Sequence, residues 1–236
     1  MKKLQVILLF ICSSLALHLT AQENLTTPAK KLKQPNTSKK GWKNLFGNNL
    51  ENAMYTQDVW IDSNGIITAR KDESIWSKEK YDDFILDLDF QTADGTNSGV
   101  IVHATETEEW IPHSVEIQIA DDYSAQWSKA APTWQCGAIF GHKAATNKKL
   151  NHAGEWNHYT ITCIGKNISI ALNEIIVNEC NMDDYTSSKK NPDGTDIPSW
   201  LSNPMSTLAL HGYIGLQGKH AGAPIYFKNI KIKKLS

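Results

Sequence analysis

A two-sheet antiparallel β-sandwich or jelly roll is the predicted fold, and three observations predict it. Apolar and polar residues alternate at period two, the alternating runs are short, and Gly, Asn and Asp clusters separate them. No stretch carries a sustained helical apolar period, so helix is limited to a turn or two near Tyr185 or Ser199 to Leu201. A chain of 236 residues with 41% hydrophobic content fills one core, so a single main domain is expected.

The chain opens with Lys2 and Lys3, an apolar run from Leu4 to Leu19 and the close Thr20-Ala21-Gln22, the layout of a secretory leader cut after Ala21. The run is too interrupted for a stable membrane span, and Cys12 follows Leu9-Phe10-Ile11, where lipoprotein processing wants a small residue. An exported protein, periplasmic or extracellular, is expected. Residues 22–40, with two prolines and few large apolar side chains, read as a flexible tether. Residues 41–236 read as the folded domain.

Within that domain the strand-like runs are "VWIDSNGIITA", "DDFILDLDFQT", "NSGVIVHAT", "HSVEIQIA", "HYTITCIG", "NISIALNEIIVNEC", "GYIGLQ" and "PIYFKNIKIKKL". Two segments are too irregular for strands, 121–135 and 181–206, and they carry Trp127, Trp134 and Trp200. Aromatic side chains on loops beside a sheet suit stacking on sugar rings or anchoring the loop.

Losing Lys2 and Lys3 leaves 22 basic against 25 acidic residues, a formal charge of −3, with no basic stripe interleaved with aromatics. Nucleic acid is therefore excluded as an expected partner. Cys136, Cys163 and Cys180 have no metal-ligand spacing and form at most one disulfide. Their expected role is as small buried apolar groups.

Separating odd from even positions gives each strand two faces. Phe84, Leu86, Leu88 and Phe90 oppose Asp87 and Asp89; Val115, Ile117 and Ile119 oppose Glu116 and Gln118; Val100 and Val102 oppose Asn97, Ile101 and His103. Placing the polar faces together puts Asp87, Asp89, Asn97, His103, Glu116 and Gln118 on one surface, either a concave groove or a solvated outer face. Carboxylates, amides and an imidazole both hydrogen-bond sugar hydroxyls and move protons. In "GLQGKH", Gln217, Lys219 and His220 end a strand beside this surface or form a surface loop. Asp121 and Asp122 either bind a metal or cap a turn, with capping favoured.

Nine segments in order resemble the 3-keto-disaccharide hydrolase family: "WKNLFGNNLENA", "WIDSNGII", "YDDFILDLDFQ", "GTNSGVIVH", "VEIQIADD", "CGAIF", "GEWNHYTITCIGKNISIALNEIIV", "GYIGLQGKH" and "IYFKNIKIKKL". The resemblance spans Gly41 to Leu235 and implies a concanavalin A-like lectin/glucanase jelly roll acting on sugars oxidised to the ketone at C3. The chain departs from the family at His103, where an arginine is often found; Arg70, its one arginine, lies in a different segment. A second resemblance, to laminarinase-like β-glucanases, covers the strand Glu116, Gln118, Asp121. There the nucleophile position is kept, the middle acid is an amide and the acid/base position is a shorter acid. Retaining hydrolysis needs two carboxyl groups about 5 to 5.5 Å apart, which argues against ordinary glucan cleavage.

A 3-keto sugar relaxes that requirement, because the ketone acidifies the C2 proton and the C1 oxygen leaves by β-elimination, with water adding back afterwards. The residues then suggest Glu116 or His103 as base, and Gln118, Lys219 or a bound divalent cation to polarise the ketone. Asp87, Asp89, Asn97, Trp127, Trp134, Gln217 and His220 are expected substrate contacts. The metal ligands and the oligomeric state are left open by the sequence. The competing expectations are a lectin-like carbohydrate-binding protein on the same fold and a laminarinase-like β-glucan hydrolase.

Overall fold

The computed structural model describes residues 28–235, so the expected leader, residues 1–21, lies outside the described residues. The strands are β1 (Trp42–Asn44), β2 (Ala53–Met54), β3 (Trp60–Ser63), β4 (Ile66–Ala69), β5 (Ile75–Ser77), β6 (Phe84–Thr92), β7 (Asn97–Ala104), β8 (Val115–Ala120), β9 (Trp156–Ile164), β10 (Asn167–Leu172), β11 (Ile175–Asn181), β12 (Tyr213–Leu216) and β13 (Ile225–Lys234). Helix among the described residues is confined to three-residue 3-10 turns, one of them Met182–Asp184 beside Tyr185. No described helix is long and apolar enough to cross a membrane.

Every pairing is antiparallel, and the strands form two sheets in a jelly roll of the concanavalin A-like lectin/glucanase type. The larger sheet runs β11-β10-β9-β6-β13-β4-β3, with β1 also paired to β13; the smaller runs β2-β5-β12-β7-β8. Between them lies one core. Phe84, Leu86, Leu88 and Phe90 of β6 share it with Val100, Val102, Val115, Ile117 and Ile119 of β7 and β8. Full burial of each such side chain stabilises the fold by about 1.5–3 kcal/mol. Cys136, Cys163 and Cys180 are free thiols and buried, as expected of small apolar core groups.

The alternation identifies the inward face of β6 correctly but not its sheet. β6 pairs with β9 and β13 in the larger sheet, whereas β7 and β8 belong to the smaller one. Asp87 and Asp89 therefore point from the opposite side of the sandwich and do not share a surface with Glu116. Their partner is His158, whose Nε2 lies 2.9 Å from Asp87 Oδ2 and whose Nδ1 lies 2.7 Å from Asp89 Oδ1. Thr160 also donates to Asp87 at 2.8 Å, and Asn229 to Asp89 at 2.7 Å. Burial disfavours the charged imidazole, but the two carboxylates outweigh it and lift the His158 pKa to about 9.

Part of the stretch expected to be a tether lies along an edge of the larger sheet. Leu32 N–H donates to the Glu174 carbonyl and Ile176 N–H to the Lys30 carbonyl, both at 2.8 Å, so residues 30–32 bridge to β11. Backbone pairing needs no apolar side chains, which is why composition alone misses it.

His158 gives the fold a measurable pH dependence. Its folded pKa exceeds its unfolded value near 6.5, so its contribution is complete below that value and is lost as pH rises through about 9. Denaturant titration is expected to show wild type losing about 2 kcal/mol more than His158→Gln between pH 7 and pH 10; parallel pH curves for the two proteins would contradict it.

Candidate functional site

The outward face of the smaller sheet carries the remaining polar residues. In the β7–β8 ladder Asn97 opposes Ala120, Gly99 opposes Gln118 and Ile101 opposes Glu116. Beside Gly99, Gln217 follows β12 and its N–H donates to the Gly99 carbonyl at 2.9 Å. On the other flank, residues 137–140 cover the free edge of β8. Gln118 N–H donates to the Ala138 carbonyl and Phe140 N–H to the Glu116 carbonyl, both at 2.9 Å.

Over this floor lies a cavity of about 390 Å³, a size suited to a small ligand. Asn97, Glu116, Gln118 and Gln217 form its polar part, with His220 at the rim. Trp110, Ile111, Trp127, Trp134, Phe140 and Trp200 form its walls. The Trp134 ring packs at 5.4 Å from Phe140 and, edge-on, at 6.0 Å from Trp200, which stays half exposed. Trp127 is buried and its indole N–H donates to the Gly95 carbonyl at 3.0 Å, so it both anchors its loop and lines the cavity.

Glu116 has an unusual seat. A Cβ on Gly99 would stand 2.2 Å from Glu116 Oε1, so only a glycine lets this carboxyl fold down over the neighbouring strand. Glu116 makes no side-chain hydrogen bond or ion pair with any described residue, and it is the one carboxylic acid lining the cavity. Glu116 is partly buried, and partial withdrawal from water without a compensating charge pushes its pKa up to about 8. Next to it, Gln118 is buried and donates from Nε2 to Asn97 Oδ1 at 2.9 Å, while its Oε1 has no partner. Gln217 Oε1 is likewise buried and unpartnered. Unmet hydrogen-bonding capacity in a cavity is capacity for a ligand's hydroxyls.

His220 reaches the cavity because the alternation breaks after Gln217. Its N–H bonds back to the Gly218 carbonyl at 2.9 Å, turning the chain so that positions 217 and 220, not 217 and 219, share a wall. At Gly218 a Cβ would lie 2.5 Å from the Lys71 carbonyl oxygen. That close approach brings Asp72 to His220, whose Nδ1–H donates to Asp72 Oδ2 at 2.6 Å. Lys219 lines neither this cavity nor the neighbouring one.

The structure removes His103 from the site. Ala104 pairs with Tyr213 and Ile101 with Gly215, so Val102 and His103 together oppose the single residue Ile214, a β-bulge. His103 takes φ +58° and turns into the core. It is 1% exposed, its ring 6.0 Å from that of Phe84, and its Nδ1–H donates to the Leu210 carbonyl at 2.6 Å. Burial, only partly offset by that bond, lowers its pKa and keeps it neutral.

Asp121, in the glucanase acid/base position, is also withdrawn. It is buried and accepts from Gly95 N–H at 3.1 Å, holding the turn between β6 and β7. Asp122 accepts from Cys136 N–H at 2.9 Å and from Lys148 Nζ at 2.6 Å. Asp121 also accepts from Tyr123 N–H at 3.3 Å in its own turn, the capping pattern, whereas Asp122 ties distant segments together and caps no turn. Among the described residues no group of three or more His, Cys, Asp or Glu is arranged to hold a metal ion.

Residues 41–233 match the family described as the 3-keto-alpha-glucoside-1,2-lyase-like domain. No curated protein matches the chain. Among solved structures, a "putative glycosyl hydrolase" from Parabacteroides distasonis is 54% identical, covers 82% of this chain and 99% of its own, and superposes with a TM-score of 0.80. A second protein of that description from the same organism, 22% identical over 83% of this chain and 89% of its own, has a TM-score of 0.64 and shares the fold.

Two substitutions test the site's construction. Gly99→Ala is expected to lever the Glu116 carboxyl toward water, so that its NMR titration midpoint falls from about 8 toward the ordinary carboxylate range; an unmoved midpoint would show that the two positions do not touch. His103→Gln is expected to lower stability by about 1–3 kcal/mol while leaving ligand affinity at the cavity unchanged, measured by denaturation and calorimetry.

Proposed function

The chain belongs to the 3-keto-alpha-glucoside-1,2-lyase-like domain family over residues 41–233, a carbohydrate-active family, and on that premise we propose that it cleaves the C1–oxygen bond of 3-keto-glycosides with Glu116 as the base. The carrying observation is the solitary, partly buried Glu116 carboxyl in an aromatic-walled cavity whose described lining holds no second carboxyl. Double displacement at an unmodified glycoside needs a matched carboxyl pair. Elimination from a ketone needs one base.

In this reading the Glu116 carboxylate takes the C2 proton, and the C2–H electron pair moves to the C3 oxygen as an enolate. The enolate collapses, the C1=C2 double bond forms, and the C1–oxygen pair departs with the leaving group. His220, steadied by Asp72, supplies the proton to that oxygen, while the N–H groups of Gln217 face the enolate oxygen. Water adding across C1=C2, oxygen to C1 and hydrogen to C2, completes a net hydrolysis. Asn97 and Gln118 meet ring hydroxyls, and Trp134 and Trp200 offer stacking faces. A raised pKa makes Glu116 a stronger base once ionised, suited to a carbon acid. The leader-like segment through Ala21 supports export, which puts this chemistry outside the cytoplasm.

Glu116→Gln is expected to lower turnover of a 3-keto-glucoside by about 1000-fold with the fold intact; activity within a few-fold of wild type removes Glu116 from the mechanism. In wild type, kcat/KM should climb as pH rises through about 8, because the carboxylate is the active form, and a flat profile would contradict that assignment. Binding of the ketone with no turnover would instead favour the lectin-like reading that the tryptophan walls also support.

A further inference from the structure

The Glu116 cavity does not end at its rim. Trp110, Ile111, Gln217 and His220 wall it on one side and, from the other side, wall a second cavity of about 480 Å³. The floor of the second space is aromatic. Trp76 meets Trp110 edge-on at 6.2 Å, with Met54 packed on the same apolar patch. Its remaining lining includes Asp72, Glu73 and Glu108 and no lysine or arginine. Asp72 is engaged by His220. The Glu73 and Glu108 carboxylates form no hydrogen bond or ion pair with any described residue.

If Glu116 acts on C2 of a ring held above Gly99, the atoms leaving from C1 cross the shared wall where His220 stands. Resting on that reading, we propose that the second cavity is the leaving-group subsite, and that it takes a neutral or cationic sugar while rejecting anionic ones. The aromatic floor supplies a stacking surface for the departing ring. The buried Gln217 Oε1, unpartnered at the junction, accepts from a hydroxyl on either side. Glu73 and Glu108 set the charge preference, since an anion brought beside two uncompensated carboxylates is repelled while an ammonium is attracted.

The test compares 3-keto-glucosides that differ only at C1, bearing methyl, glucosyl, glucosaminyl or glucuronyl groups, on wild type and on the Glu73→Gln/Glu108→Gln double variant. Wild type is expected to prefer glucosyl over glucuronyl by about tenfold in kcat/KM, with glucosaminyl at least equal to glucosyl. The double variant should shrink the glucosyl–glucuronyl gap to about twofold and leave the methyl compound unchanged, and added salt should narrow the wild-type gap. Turnover of the methyl compound with no wild-type discrimination, or with discrimination unaltered in the variant, overturns the subsite. If no ketone is turned over, the reading of Glu116 fails separately, and calorimetric affinities decide the subsite: a tenfold difference that the variant erases keeps it, and equal affinities overturn it.

Discussion

The clamp formed by Phe84, Leu86, Leu88 and Phe90 with the inward sides of β7 and β8 is the constraint from which the rest of the molecule follows. A strand has two faces, and once Val100, Val102, Ile117 and Ile119 are committed to this core, Asn97, Gly99, Glu116 and Gln118 have nowhere to go but outward. A one-residue slip of β8 would drive Glu116 into the core and Ile117 into water, so the same apolar contacts that stabilise the sandwich also fix the register of the site. Loops from four regions of the chain then close over that face, bringing Trp110, Trp134, Phe140 and Trp200 to one place.

Two arrangements of acids in this fold show opposite electrostatic solutions. On the larger sheet Asp87 and Asp89 grip an imidazolium between them, and burial is offset by charge pairing and hydrogen bonds. On the smaller sheet Glu116 has neither, and it holds its proton well into the neutral range. The first arrangement serves the fold. The second is an electrostatic cost that no described residue relieves, and it is the feature on which the proposed role of Glu116 as base rests.

Much of this was legible in the strand alternation, and the failures have specific physical origins. Alternation brings Glu116, Gln118 and Asn97 to one face because β7 and β8 keep strict period two up to Ile101. His103 was misplaced because the bulge at Val102 and His103 spends two residues where alternation allows one, and no residue type announces it. Lys219 was misplaced by the turn at Gly218, which substitutes His220 on the cavity wall. Asp87 and Asp89 failed differently: their face was right, but alternation carries no information about which sheet a strand joins. β1, β2 and β5, at two or three residues each, are too short to display any period. Trp110, Ile111 and Phe140 lie in irregular segments whose direction is set by contacts made after folding. Trp127 and Trp134, which line the cavity, are marked in the sequence only by lying on long aromatic-bearing loops.

The pairing of residues 30–32 along β11 has a consequence at the level of assembly. β11 ends the larger sheet, and an uncovered terminal strand is a template on which a second molecule can add its own. The segment supplies that missing neighbour from within the same chain, assisted by Thr146 N–H on the Val177 carbonyl. A boundary at residue 41, where the family match begins, would strip this cover away. A molecule cut there would lose the two backbone hydrogen bonds of residues 30–32 and leave that end of the β11 margin open to a neighbour's strand.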